Sequence, residues 1–156
     1  MRQCFALVKR IILKALEEEA MFERIKLPLN KNKIERSPLV LVVDDNEDNL
    51  IYTCEVLDLF KYQYIVAKNG KAALDLTKDK IPDLVLMDIV MPKVDGISLT
   101  KLLKSNLLTS HIRVIAVTGL ALSHQIEQIF NAGFDDYLCK PYFIEDLADK
   151  LNLYLS

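Results

Sequence analysis

From Leu39 onward two kinds of segment alternate. Short apolar runs stand at Leu39–Val43, Tyr64–Ala67, Leu84–Met87 and Ile112–Val117, with a weaker one at Tyr137–Leu138. They are rich in Val, Ile and Leu and do not alternate with polar residues, which is how strands buried on both faces read. Between them lie stretches of helical period. The first runs from Glu47 to Phe60, with Leu50/Ile51, Cys54, Leu57 and Phe60 on one side; the others cover Lys71–Lys78, Ile97–Leu103, Ser123–Ala132 and Ile144–Leu155. Punctuation agrees: Asn69-Gly70 reads as a turn before a helix, Ser123 as an N-cap with Glu127 shortly after, and Gly133 as a helix stop, while Pro82, Pro92 and Pro141 fall in connections. The pattern predicts (βα)5 in about 118 residues. Short right-handed crossovers force a parallel sheet with helices on both faces. Such a sheet binds ligands beyond the carboxyl ends of its strands, at the switch point in strand order.

Those ends carry the candidate chemistry. The first strand runs into Asp44-Asp45, followed by Asn46, Glu47 and Asp48; the third delivers Asp88, the fourth Thr118 and Gly119, and the fifth Cys139-Lys140-Pro141. Each has an ordinary explanation alone: an acidic pair caps the next helix, Asp88 precedes a turn, Thr118 ends a strand and Lys140 is a solvated lysine. Four strands delivering reactive types to one edge is harder to explain that way. Two carboxylates about 4 Å apart repel by roughly 4 kcal/mol at an effective dielectric near 20. Asp44, Asp45 and Asp88 together therefore call for a cation, and hard oxygen ligands suit Mg²⁺, which keeps waters and shares a phosphate oxygen. Lys140 would neutralise an incoming phosphoryl group and Thr118 would donate to it. The set is suited to holding a phosphoryl group on a carboxylate, chiefly by positioning and charge neutralisation.

Composition narrows the class without choosing it. The chain has 156 residues, about half of them apolar, with 20 Lys+Arg against 22 Asp+Glu. Residues 1–37 hold nine basic and five acidic side chains, net +4, and residues 38–156 hold eleven and seventeen, net −6. An acidic body argues against direct nucleic-acid binding, since phosphate neutralisation supplies most sequence-independent affinity. Cys4, Cys54 and Cys139 are widely spaced, and His111 and His124 have no second ligand at helical spacing, so neither a disulfide framework nor a zinc site is indicated. No apolar run approaches the roughly 18–20 residues of a membrane span, and Lys9 and Arg10 interrupt any signal-peptide core. A cytoplasmic protein is expected.

With these residues in view, the sequence from about Leu39 to Leu155 resembles the receiver domain of two-component response regulators, of the chemotaxis-regulator type. The resemblance is carried by Val43-Asp44-Asp45-Asn46, by Met87-Asp88-Ile89-Val90-Met91-Pro92-Lys93-Val94-Asp95-Gly96, by Ala116-Val117-Thr118-Gly119 and by Ala132 through Pro141. The separations of 43, 30 and 22 residues between Asp45, Asp88, Thr118 and Lys140 are also similar to the family's. It implies a flavodoxin-like doubly wound sheet of strand order 2-1-3-4-5 for residues 38–156. It implies that Asp88 is the phosphoacceptor, supplied by a histidine kinase or histidine phosphotransfer protein. Asp44 and Asp45 would bind Mg²⁺ with Asp88 and the backbone carbonyl of Val90. Thr118 and Lys140 would contact the phosphoryl group, Tyr137 would be the switch aromatic, and the Lys140–Pro141 bond is often cis in the family. The stretch Asp45–Asn49 resembles receivers attached to hybrid kinases.

Three departures from the family pattern stand out. Val90 is bulky where side chains influence access of water, Gly119 replaces a more usual Ala, and Phe60-Lys61 stands where a glycine often closes the first helix. In residues 1–37, Phe5, Val8, Ile12 and Ala15/Leu16 follow helical spacing, which predicts an amphipathic helix to about Lys26 and a polar linker Leu29–Ser37. That helix packs on the domain or a partner, is a partly ordered tail, or pairs two copies into a homodimer; a membrane-surface role is the weakest reading. Only Ser156 follows Leu155, so output is expected through protein–protein contact on the fourth helix, fifth strand and fifth helix, Ser123–Leu155. The protein is expected to be no enzyme beyond self-catalysed phosphotransfer and slow autodephosphorylation. The alternatives are a constitutive receiver-fold adaptor and a Mg²⁺-dependent phosphatase; the latter lacks an acidic residue two positions after Asp44 or Asp88, where Asn46 and Val90 stand.

Overall fold

A computed structural model describes residues 37–92, 95–119 and 123–155. The elements are β1 (Leu39–Val43), α1 (Glu47–Leu59), β2 (Gln63–Ala67), α2 (Gly70–Lys80), β3 (Leu84–Asp88), α3 (Gly96–Ser105), β4 (Arg113–Thr118), α4 (Ser123–Asn131), β5 (Asp136–Cys139) and α5 (Ile144–Leu155). All five expected strands and all five expected helices form, with ends shifted by no more than two residues. The amphipathic helix and the linker up to Arg36 lie outside the described residues.

The strands make one parallel sheet in the order β2-β1-β3-β4-β5. The period of two divides its central strands between two cores. Leu41, Val43, Val85, Met87, Val114 and Ala116 pack with Ala73 of α2, Leu99 and Leu103 of α3 and Ile129 of α4. Val40, Val42, Leu84, Leu86, Ile115 and Val117 face the other way and are equally buried, as are Leu50, Val56 and Leu57 of α1 and Leu147, Ala148 and Leu151 of α5. This two-sided burial is why the strand sequences do not alternate. In α1 the buried stripe is Leu50, Thr53, Val56 and Leu57, and Ile51 is exposed. Thr53 holds the buried position through hydrogen bonds that its polar identity conceals.

Local chemistry sets the helix ends. Asn46, Asn69 and Asp95 cap α1, α2 and α3, each accepting first-turn N–H groups. Gly96 opens α3 against the end of β3, where a β-carbon would overlap the carbonyl oxygen of Asp88. At the opposite edge of the sheet, the Asp135 carboxylate gathers Lys104 Nζ at 2.8 Å, Arg113 Nη1 at 2.6 Å and Val114 N at 2.9 Å, tying α3 to β4. Two helices close with the same motif. After α4, Gly133 at φ +96° donates to Phe130 O and Phe134 N to Ile129 O. After α1, Lys61 donates to Asp58 O and Tyr62 N to Leu57 O, with Lys61 itself at φ +60°.

The left-handed region favours glycine, and a side chain there costs about 1 kcal/mol. Lys61 is exposed. Lys61→Gly is therefore expected to raise stability by about 0.5–1 kcal/mol, read as an increase in urea midpoint at unchanged slope.

Candidate functional site

Parallel pairing brings the ends of β1, β3, β4 and β5 to one edge. Val43 lies opposite Met87, Asp88 opposite Val117, and Thr118 opposite Cys139, so the residues just beyond these positions share one shallow surface. Carboxylate oxygens of Asp44, Asp45 and Asp88 all lie within 4.8 Å of one another. Asp44 and Asp88 are buried and Asp45 is exposed, leaving the cluster open on one side.

Asp44 is held by three donors. Its Oδ1 accepts from Asn46 N at 2.8 Å, and its Oδ2 from Lys140 Nζ at 2.7 Å and Asn49 Nδ2 at 3.0 Å. Lys140 Nζ also stands 3.4 Å from Asp88 Oδ1, and the Lys140–Pro141 bond is cis. Asp88 is served more sparsely, by Lys140 and by a long hydrogen bond of 3.4 Å from Val90 N. Burial holds the Asp88 carboxyl above the usual carboxylate range; Lys140 and the Val90 N–H pull it down, and Asp44 pushes it further up.

Other sequence-selected residues fall around this cluster. Thr118 is buried at the end of β4, its carbonyl accepting from Lys140 N at 2.7 Å. The Val90 side chain is exposed. Among the described residues, a β-carbon on Gly119 would meet nothing within 4 Å. Tyr137 is half-buried against the α4 side of the sheet, edge-on to Phe130 at 6.2 Å, with Lys150 Nζ 6.0 Å from its ring centre. Sequence reasoning missed Asn49 and Tyr142. Asn49 follows Asp44 by five residues, one helical turn before the buried Thr53, and that polar pair on an apolar stripe is the signal that was available.

Three clustered carboxylates, two of them met by Lys140, are short of positive charge, and an all-oxygen donor set with an exposed member fits a hard, partly hydrated divalent ion. Among the described residues no helix is long and apolar enough to cross a membrane.

The raised Asp88 carboxyl has a stability consequence. A folded-state pKa above the unfolded value means that ionised Asp88 costs stability at neutral pH, a cost relieved as pH falls through the folded value. In EDTA at pH 7, Asp88→Asn is expected to unfold about 1 kcal/mol harder than wild type. The gap should narrow as pH is lowered into the carboxylate range, as measured by urea melts at several pH values.

Comparison with known proteins agrees with this arrangement. The profile described as the response regulator receiver domain matches residues 40–152. Polar-differentiation response regulator DivK of Brucella anthropi is 38% identical over 117 residues, covering 75% of this chain and 95% of the relative. The Francisella response regulator 1452 receiver domain superposes with a TM-score of 0.70 at 33% identity, covering 76% of this chain and 96% of that one. The receiver domain of sensor histidine kinase PA1611 from Pseudomonas aeruginosa, solved with magnesium coordinated in its active site cleft, gives a TM-score of 0.71 at 28% identity, covering 77% and 98%. With the sheet order, the acidic cluster and the lysine all in place, the chain belongs to the response regulator receiver domain family of two-component signalling.

Proposed function

We propose that this chain accepts a phosphoryl group on Asp88 from the phosphohistidine of a histidine kinase or histidine phosphotransfer protein, and signals in the cytoplasm by protein–protein contact. The observation that carries the reading is the convergence of Asp44, Asp45 and Asp88 within 4.8 Å, with Lys140 Nζ at 2.7 Å from Asp44 and 3.4 Å from Asp88. Mg²⁺ would be held by the three carboxylates and the backbone carbonyl of Val90. When bound, it neutralises the clustered charge and offers a coordination position to a phosphoryl oxygen.

The chain's own groups then have defined tasks. An Asp88 oxygen attacks phosphorus as the imidazole N–P bond breaks, so one P–N bond is exchanged for one P–O bond and Asp88 becomes an acyl phosphate. Lys140 exchanges part of its ion pairing with Asp44 and Asp88 for a phosphoryl oxygen. The Thr118 hydroxyl donates to another, and its inward shift lets Tyr137 change position between α4 and β5. Phosphorylation thereby biases two arrangements of the α4–β5–α5 face (Ser123–Leu155), where Phe130 and Leu153 are exposed and a downstream protein would dock.

Acetyl phosphate with Mg²⁺ is expected to add one phosphoryl group, visible by intact-mass measurement. EDTA or Asp88→Asn should abolish the adduct, and Lys140→Ala should slow its formation at least about tenfold, the scale of one lost charge-assisted hydrogen bond. Labelling of Asp88→Asn at the wild-type rate would overturn the assignment. Amide chemical shifts unchanged by the phosphoryl donor would favour the constitutive adaptor instead.

A further inference from the structure

The Asp44–Lys140 ion pair belongs to a hydrogen-bonded circuit that runs through α1 and the loop after β5. Asn49 and Thr53 are one turn apart on the same face of α1. The Asn49 side chain donates through Nδ2 to Asp44 Oδ2, and one turn later the Thr53 hydroxyl donates to the backbone carbonyl of Asn49 at 2.9 Å. The Thr53 oxygen also lies 2.6 Å from the Tyr142 hydroxyl. A threonine hydroxyl has one proton. Since Thr53 spends its proton on Asn49, Tyr142 is the donor in the second bond. Burial pushes the Tyr142 phenol up to about 12, which keeps that proton in place at neutral pH.

Tyr142 is anchored a second time. Its carbonyl accepts from the Tyr52 hydroxyl at 3.1 Å, and the two rings pack with centres 5.5 Å apart. Tyr142 lies two residues after Lys140, separated only by Pro141, so fixing its ring and its carbonyl fixes the segment that launches the lysine. The circuit then closes where Lys140 Nζ meets the same Asp44 oxygen that Asn49 holds. Lysine is a flexible four-carbon stem that loses much rotamer freedom on being held, so its aim depends on what steadies its backbone.

We infer that Tyr142, through the Thr53 hydroxyl, is a positioning residue for Lys140: it sets where the ammonium stands between Asp44 and Asp88 without touching the phosphoryl group. The inference rests on the phosphoacceptor reading above and adds to it two residues that carry no chemistry of their own. It separates two binding events. A divalent ion alone is met by the carboxylates, of which Asp44 keeps Asn46 N and Asn49 as donors. A phosphoryl mimic also needs the lysine in place.

The test is isothermal titration of the full chain with Mg²⁺ alone and with beryllofluoride in saturating Mg²⁺, well below the melting temperature. Tyr142→Phe keeps the ring and removes the donor. It is expected to weaken beryllofluoride about five- to tenfold, the effect of one buried hydrogen bond, while Mg²⁺ affinity changes less than about twofold. Thr53→Val should reproduce that split and Thr53→Ser should restore wild-type values; this pair carries the test if Tyr142→Phe does not fold. Wild-type beryllofluoride affinity in both hydroxyl deletions would overturn the inference and leave the phosphoacceptor reading standing. An equal fall in both affinities would also overturn it, as general loosening. A wild-type protein that fails to bind beryllofluoride with Mg²⁺ would remove the phosphoacceptor reading, and this inference with it.

Discussion

The structure turns on a repulsion that the fold maintains. Parallel strands β1 and β3 deliver Asp44, Asp45 and Asp88 to one edge with their oxygens inside 4.8 Å, and two of the three are buried. At that spacing each pair of charges costs several kcal/mol unless positive charge answers it. Lys140 answers part of the cost, mostly at Asp44, while burial first, and Asp44 after it, hold the Asp88 carboxyl above its ordinary range. A divalent cation would relieve such an arrangement, so the repulsion that strains the site also suits it to a hard, oxygen-seeking ion.

The surrounding scaffold keeps the cluster from relaxing. The strands that end in these carboxylates are buried on both faces, and Gly96 allows α3 to begin in contact with the Asp88 carbonyl. A parallel sheet fixes register through main-chain pairing, so Asp88 cannot retreat without unzipping β3 from β1 and β4. Across the edge, the β4–β5 pairing and the α1 circuit locate Lys140. Tyr137 is half-buried beside Phe130, and Phe130 and Leu153 are exposed on the face proposed for output.

Most of this was legible in the sequence, for physical reasons. Apolar runs lacking polar alternation read as parallel strands, interior for β1, β3 and β4 and half-buried for the edge strands β2 and β5, and the order that the family resemblance implies makes Asp44, Asp88, Thr118 and Lys140 neighbours. What escaped was held by side-chain bonds between distant residues. Thr53 and Tyr142 are 89 positions apart and nothing in the local pattern around either announces the other. For the same reason the apolar period groups Ile51 with Leu50 and Leu57 and omits Thr53, since hydropathy ranks an isoleucine above a threonine whose hydroxyl is already paired. Lys61 stands in a glycine's place, but its positive φ is a property of the closing motif and not of lysine.

The central claim is that three carboxylates share one divalent ion with Asp88 among its ligands. Paramagnetic broadening by Mn²⁺ reports this most directly. Substoichiometric Mn²⁺ is expected to erase selectively the amide signals of residues 44–45 and 88–90, saturating at one ion per chain and reversing with excess Mg²⁺. Broadening spread over the exposed acidic residues of α5, or absent around Asp88, would contradict it.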